Sequence, residues 1–239
     1  DPVGNVSDDS DTQTIMIDIT APGVPIIGTI LTPSNDPTPT IAGTGVTGDT
    51  IHLYAGTTNI GSVNVTDSTW SITSTALAGG TYVIKASSTD PVGNVLGFSN
   101  TQTIVIDITD PPKPIIDPIS TPSNNETPTI TGTGVTGDTI HLYVDTVIVS
   151  NVVVTNSIWS IALSALAEGS HDIKATSTDP VGNVSDDSDT QTIMIDITAP
   201  GVPIIGTILT PSNNQTPTIS GTGIDGDTIN LYAGTTNIG

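Results

Sequence analysis

Cysteine does not occur in the 239 residues. The chain therefore forms no disulfide, holds no metal through thiolate and presents no thiol nucleophile. Arginine is missing too, and lysine appears only at Lys85, Lys113 and Lys174. Set against 24 acidic residues, this gives a formal net charge of −21. Such a surface is repelled by phosphate backbones and anionic lipid, so nucleic acid is excluded as a partner. No apolar run has the length of a membrane-spanning helix, so no membrane insertion is expected in this region. Two tryptophans, four tyrosines and one phenylalanine are too few to line a face for sugar or ice. Histidine is scarce as well. His52 and His141 alternate with apolar residues, their third counterpart is Asn230, and His171 has no partner at zinc-ligand spacing. Helical periodicity is absent beyond one possible turn near Ser164 to Leu166.

What the chain does have is repetition. Asp-Pro-Val-Gly-Asn-Val starts at Asp1, Asp90 and Asp179, and Thr-Pro-Thr-Ile starts at Thr38, Thr127 and Thr216. A lone tryptophan recurs at Trp70 and Trp159, and every one of these intervals is 89 residues. A fixed period of this length means one folding unit copied in tandem. Enzymes seldom need the same site several times in a row, whereas stalks, spacers and arrays do; no enzyme activity is expected. The expected units are 20–108 and 109–197. Residues 1–19 supply the C-terminal strand of a preceding copy and 198–239 the N-terminal half of a following one. The full protein is expected to continue in both directions, so targeting signals fall outside this window.

Within the second copy the residues read as short strands. Pro128 to Gly132, Thr139 to Tyr143, Val147 to Thr155, Ile158 to Leu163, His171 to Ser177 and Thr190 to Ile197 are rich in Val, Ile and Thr and largely alternate in polarity. An initial strand is expected around Pro114 to Ile119. Turn clusters separate them, among them Val135-Thr136-Gly137-Asp138 and Asp179-Pro180-Val181-Gly182-Asn183. About seven strands at this spacing predict an all-β fold, a tandem array of immunoglobulin-like sandwiches. Trp70 and Trp159, each the one large aromatic on its alternating strand, are expected in the core. Gly43-Thr44-Gly45-Val46-Thr47-Gly48 matches a dinucleotide fingerprint. It runs into a strand rather than a helix, so it reads as a turn.

The order Thr-Pro-Thr-Ile, Gly-Thr-Gly, Gly-Asp-Thr-Ile, Trp-Ser-Ile, Asp-Pro-Val-Gly-Asn and Ile-Asp-Ile-Thr resembles bacterial immunoglobulin-like repeats of giant surface adhesins and biofilm proteins. In such repeats an Ala-x-Asp-x-x-Gly-Asn phrase precedes Val-Asp-x-Thr-x-Pro at the domain junction. This chain carries Thr89-Asp90-Pro91-Val92-Gly93-Asn94 and Ile106-Asp107-Ile108-Thr109-Asp110-Pro111 at those places. The resemblance implies calcium at the junctions.

Tracing a seven-strand sandwich brings the second-to-third, fourth-to-fifth and sixth-to-seventh loops to the pole at which the chain enters. In the second unit those loops carry Asp138, Asn156, Asp179 and Asn183, and the chain arrives through Asp107 and Asp110. The equivalent set in the first unit is Asp18, Asp49, Asp90 and Asn94, and in the third Asp196 and Asp227. Calcium takes six to eight oxygens in loose geometry, which these could supply. Asp and Asn before glycine are also ordinary turn residues that bond their own backbone, and both readings stand at this level. A second acidic stretch, Ser185 to Asp189, reads as a solvated strand head, because its counterpart Leu96 to Asn100 has no carboxylate.

The function expected is a structural stalk or spacer of an extracellular adhesin on a bacterial cell surface, rigidified by calcium at the junctions. Its expected partners are the neighbouring repeats of the same chain. The alternative is a self-assembling extracellular filament in which other copies are the partners.

Overall fold

The computed structural model describes residues 2–239; Asp1, the first residue of the first Asp-Pro-Val-Gly-Asn-Val motif, lies outside the described residues. In the first unit, β1 (Ile26–Ile27), β2 (Thr40–Thr44) and β5 (Thr69–Thr73) form one antiparallel sheet in the order β1-β2-β5. Its partner sheet has the order β4-β3-β6-β7, from β3 (Thr50–Ala55), β4 (Thr58–Asn64), β6 (Gly80–Thr89) and β7 (Gln102–Ile106). The second unit repeats both sheets. β8 (Ile115–Ile116), β9 (Thr129–Thr133) and β12 (Ile158–Ala162) make the smaller one. β10 (Thr139–Val144), β11 (Val147–Val153), β13 (Gly169–Thr178) and β14 (Gln191–Ile195) make the larger, in the order β11-β10-β13-β14.

Period-2 alternation drives this arrangement. Along β10, Ile140, Leu142 and Val144 are buried, while Thr139, His141 and Tyr143 stay half-exposed. Two facing apolar surfaces of this kind close a core by removing their side chains from water. Each unit has its own core, one around Ile41, Leu53, Trp70 and Ile104, the other around Ile130, Leu142, Trp159 and Ile193.

Both tryptophans are 3% exposed, as the alternation predicts. Trp159 stands opposite Gly132 in the strand register, and its indole N–H donates to Thr133 O at 3.2 Å. A Cβ added to Gly132 would lie 2.5 Å from the indole and run into the Ile115 carbonyl. Trp70 repeats this over Gly43, with its N–H 3.0 Å from Thr44 O. The Gly-Thr-Gly phrase therefore makes room for the indole, and the dinucleotide pattern is a packing device that leads into β3 and β10.

Two expectations are corrected. The first strand is only Ile115–Ile116, because the chain leaves that sheet at Asp117-Pro118. It then crosses over the cis Thr121-Pro122 bond, and Ser123 makes a parallel bridge with Ile195 of the larger sheet. No helical turn forms near Ser164 to Leu166; Leu166 N–H instead donates to Glu126 O at 2.8 Å. The hairpins into β5 and β12 are two-residue turns with positive φ at Asp67 and Ser68 and at Asn156 and Ser157, where Asp and Asn tolerate the left-handed region.

Residues 198–239 form two short pairs, β15 (Ile204–Ile205) with β16 (Gly221–Thr222) and β17 (Tyr232–Ala233) with β18 (Thr236–Asn237), and their apolar residues are exposed. Residues 2–20 contain no strand.

Replacing Trp159 by Ala is expected to cost about 3–5 kcal/mol. Gly132→Ala, which overpacks the same spot, is expected to cost about 1–3 kcal/mol. Urea unfolding followed by circular dichroism measures both, because it reports on the second unit with or without its tryptophan.

Candidate functional site at the junction between units

Strand register places the junction residues. Thr139 of β10 pairs with Val153 on one side and Thr178 on the other. Asp138, Val154 and Asp179, one step beyond, therefore meet at one pole. The convergence of loops read from the sequence is present in both complete units.

The carboxylates there are engaged within the protein. Asp138 is buried, and its Oδ2 accepts the Ser177 hydroxyl at 3.0 Å. Its backbone N–H donates to Val135 O, and its carbonyl accepts from Val154 N–H. Asp49 does the same with Ser88, Val46 and Val65. These two aspartates tie the incoming loop to the ends of two strands.

Asp179 organises the adjoining loop. Its Oδ1 accepts the N–H groups of Val181, Gly182 and Asn183 at 2.7 to 2.9 Å, and its Oδ2 accepts the Asn183 side-chain amide at 2.8 Å. The same Asn183 Nδ2 donates to Asp107 O at 2.9 Å, on the chain that arrives from the first unit. In the first unit Asn94 Nδ2 likewise bridges Asp90 Oδ2 and Asp18 O, at 2.8 and 3.1 Å. Asn183 is buried, and a Cβ on the neighbouring Gly182 would come within 3.1 Å of Asn35 Nδ2 of the first unit. Asp107 itself is set by Ser34 O, which accepts its N–H at 2.8 Å. The bridge thus links the last strand of one sandwich to a loop of the next.

Burial pushes the Asp179 carboxyl up. The Asn183 amide and then the backbone N–H groups of Asn183, Val181 and Gly182 pull it down, and the donors win, leaving it below the ordinary value of 3.8. Asp90 is shifted in the same direction by burial opposed by Asn94, Val92 and Gly93.

The residues as they stand do not fit a calcium cage. Among the described residues no three His, Asp or Glu side chains gather around one point. Asp49 and Asp138 turn inward to serines, and Asp90 and Asp179 are filled by N–H donors. Asn94 and Asn183 present amide hydrogens, not oxygens, to the junction carbonyls. Asp18, Asp107 and Asp196 each accept an N–H from two residues ahead, at Thr20, Thr109 and Thr198. Asp227 is exposed, with its N–H on Ile224 O. What these residues form in the structure is a hydrogen-bonded latch. Sequence reasoning did not find Ser88 and Ser177; their signal was a hydroxyl at a strand position where alternation calls for an apolar side chain.

The sequence profile of the bacterial Ig-like domain matches residues 32–108 and 121–197. The chain belongs to that family. Both matches to the bacterial Ig-like profile end where the arriving linkers begin, next to Asp107 and Asp196. A search of curated proteins finds no match. Among solved structures, the bacterial Ig-like chain is similar to the fibronectin(III)-like modules of Clostridium thermocellum CbhA, with 17% identity and a TM-score of 0.42 over 72% of this chain and 94% of that one. A Corynebacterium diphtheriae protein described as membrane anchored matches at 13% identity and a TM-score of 0.32, over 76% of this chain and 57% of that one. The gamma-CGTase of Alkalophilic bacillus clarkii matches at 16% identity and 0.27, over 76% and 27%.

A second polar cluster lies at the opposite pole. His171 Nε2 faces Ala167 O at 3.0 Å and Nδ1 faces Asp145 Oδ2 at 3.2 Å, so both ring nitrogens meet acceptors. The Ala167 carbonyl and then Asp145 raise the His171 pKa above 6.5, against burial, which lowers it. In the first unit Tyr82 holds the equivalent carbonyl, Ala78 O, through its hydroxyl at 3.1 Å.

Two pH responses follow from these shifts. Asp179 is depressed on folding, so its contribution is present above about pH 4 and is lost as pH falls through its folded pKa. The amides of Val181 and Asn183 should report that midpoint by NMR below pH 3.8, and Asp179→Asn should abolish it. His171 is raised, so its contribution is full below pH 6.5 and is lost as pH rises through its folded pKa. His171→Tyr should remove this second dependence from thermal unfolding.

Proposed function

We propose that this chain is a spacer region of an extracellular bacterial surface protein, in which sandwiches are held end to end at a preferred angle. The observation that carries this reading is the Asn183 amide, which bridges Asp107 O of the arriving chain and Asp179 Oδ2 of the receiving loop. Its equivalent at Asn94 makes the same two bonds, so the device recurs with the repeat. The linker Ile108-Thr109-Asp110-Pro111-Pro112 is short, and its prolines restrict both themselves and the residues before them. Burial of Asn183 means that swinging the second unit away would leave an amide and a carbonyl to be resolvated.

Such a region works mechanically: it sets distance and orientation between whatever lies beyond its ends. An adhesin stalk in a biofilm is the setting in which cell adhesion would use that property. Calcium at the same junction is the competing proposal, favoured by the net charge of −21.

Small-angle scattering on the 239-residue chain separates the two. With the latch, the maximum dimension is unchanged by a calcium chelator, and Asn183→Ala broadens the distance distribution while each sandwich keeps its unfolding midpoint within about 1 kcal/mol. Broadening by chelator in the unsubstituted chain would establish calcium instead. If Asn183→Ala and chelator both leave the profile unchanged, the junction is not held by this site.

A further inference from the structure

The two complete units share a fold but not a surface, and their differences are segregated. Passing from the first unit to the second, ten of the 24 substitutions outside one flank, that of β11 and β12, add a charged side chain: among them Gly28 becomes Asp117, Gly56 becomes Asp145, Gly79 becomes Glu168, Val83 becomes Asp172 and Phe98 becomes Asp187. Along β11 and β12 the direction reverses. Thr58 becomes Val147, Asn59 becomes Ile148, Asn64 becomes Val153 and Thr69 becomes Ile158, while Asp67 becomes Asn156. Between Asp145 and Glu168 no charged side chain remains.

This uncharged flank is an open one. β11 and β12 are the outer strands of their two sheets on the same side of the sandwich, so each has one edge without a partner strand. Val147, Ile148, Val149, Val153 and Ile158 are each 45% to 62% exposed. A groove of about 420 Å³ runs between the two edges, walled by Val152, Val153 and Ile158 with Trp159 and Gly132 in its floor. Its carboxylate, Asp117, is bonded to the Thr131 hydroxyl at 2.7 Å.

The edge is also less tied down than in the first unit. There Ile60 is buried and its carbonyl accepts the Thr75 N–H at 2.8 Å, which fastens β4 to the opposite sheet. In the second unit Leu163 replaces Ser74 in the core, the equivalent Val149 is turned outward, and no matching bond is made among the described residues. An uncharged edge strand of β-branched residues, free of proline, is a template for strand pairing, and natural sheets normally block such edges with charge.

We propose that this flank is the self-association surface of the protein, and that its occupant is the β11 strand of a second copy, paired antiparallel about a two-fold axis near Ser150. Charge selects that occupant. Two chains of −21 repel each other wherever carboxylates face carboxylates, and the Asp145–Glu168 stretch offers an approach without that penalty. A two-fold at Ser150 sets Val147 against Val153 and Ile148 against Val152. It keeps the two Asp145 side chains about ten strand residues apart, roughly 34 Å, far beyond the screening length of about 8 Å at physiological salt. The two larger sheets then join into one eight-stranded sheet. A dimer of this kind ties spacers side by side; it adds to the spacer reading and does not depend on it.

Sedimentation velocity on the 239-residue chain over a concentration series tests the idea at low and at moderate salt. The expected result is a reversible dimer that strengthens with salt, as screening weakens the overall repulsion. The variant Val147→Thr, Ile148→Asn, Val153→Asn and Ile158→Thr carries the first unit's own residues, so the fold accommodates them; it should associate at least tenfold more weakly while circular dichroism stays unchanged. Because the chain has no cysteine, Ser150→Cys is a clean reporter. Under oxidant it should form a disulfide dimer faster than Ser62→Cys, placed on the equivalent strand of the first unit. A chain that stays monomeric at every concentration and salt overturns the proposal and leaves the spacer reading intact, as does a quadruple variant that associates like the parent. Equal cross-linking of the two cysteine variants overturns the two-fold pairing.

Discussion

One indole over one glycine is the constraint on which each sandwich depends. Without disulfides, and with a single large aromatic at the centre of each unit, the two sheets close around Trp70 or Trp159. The glycine opposite leaves the space that the ring fills. The indole N–H is spent on a carbonyl of the adjacent strand, so the burial leaves no polar group stranded. Closure at that point fixes the register of the smaller sheet. The register of the larger sheet packed against it places the loops that carry Asp49, Asp90, Asp138 and Asp179.

At the pole those loops create, an acidic chain must handle carboxylates at close quarters. It does so with donors of its own. Asp138 takes a serine hydroxyl, Asp179 takes three backbone N–H groups and an amide, and the spare amide hydrogen of Asn183 reaches the arriving chain. An amide carries no charge, so it bridges two oxygens without the desolvation cost of a buried cation. The junction is therefore a continuation of the turn chemistry that shapes the loop.

The two units act as a natural comparison on one backbone. Their poles are nearly identical, down to bonds separated by the same 76 residues. Their flanks diverge instead, through exchanges that compensate within the fold: Leu163 enters where Ser74 left a buried hydroxyl without a partner, and Val149 moves out where Ile60 had been packed. Polarity on a strand face can change freely only where the core volume is made up elsewhere, which these exchanges achieve.

Alternation of β-branched and polar residues, the 89-residue interval and the position of the tryptophan were enough to determine the strands after the first, the sandwich class and the meeting of loops at one pole. Each of these rests on interactions a few residues apart or on exact repetition. What the sequence left open was how the polar atoms at that pole are shared, because an aspartate oxygen serves a metal or an N–H equally well until its neighbours are placed. Serine partners 39 residues away and an amide 76 residues away are fixed only by strand register. The sharpest case is Asp11 to Asp18, which is identical to Asp189 to Asp196. Residues 191–195 within the second copy form β14 beside β13 and bury Ile193 and Ile195, while Ile15 and Ile17 in the first lie exposed with no strand formed. Local propensity is the same in both; a neighbouring strand to accept the backbone hydrogen bonds and cover the side chains makes the difference, and only the tertiary fold supplies it.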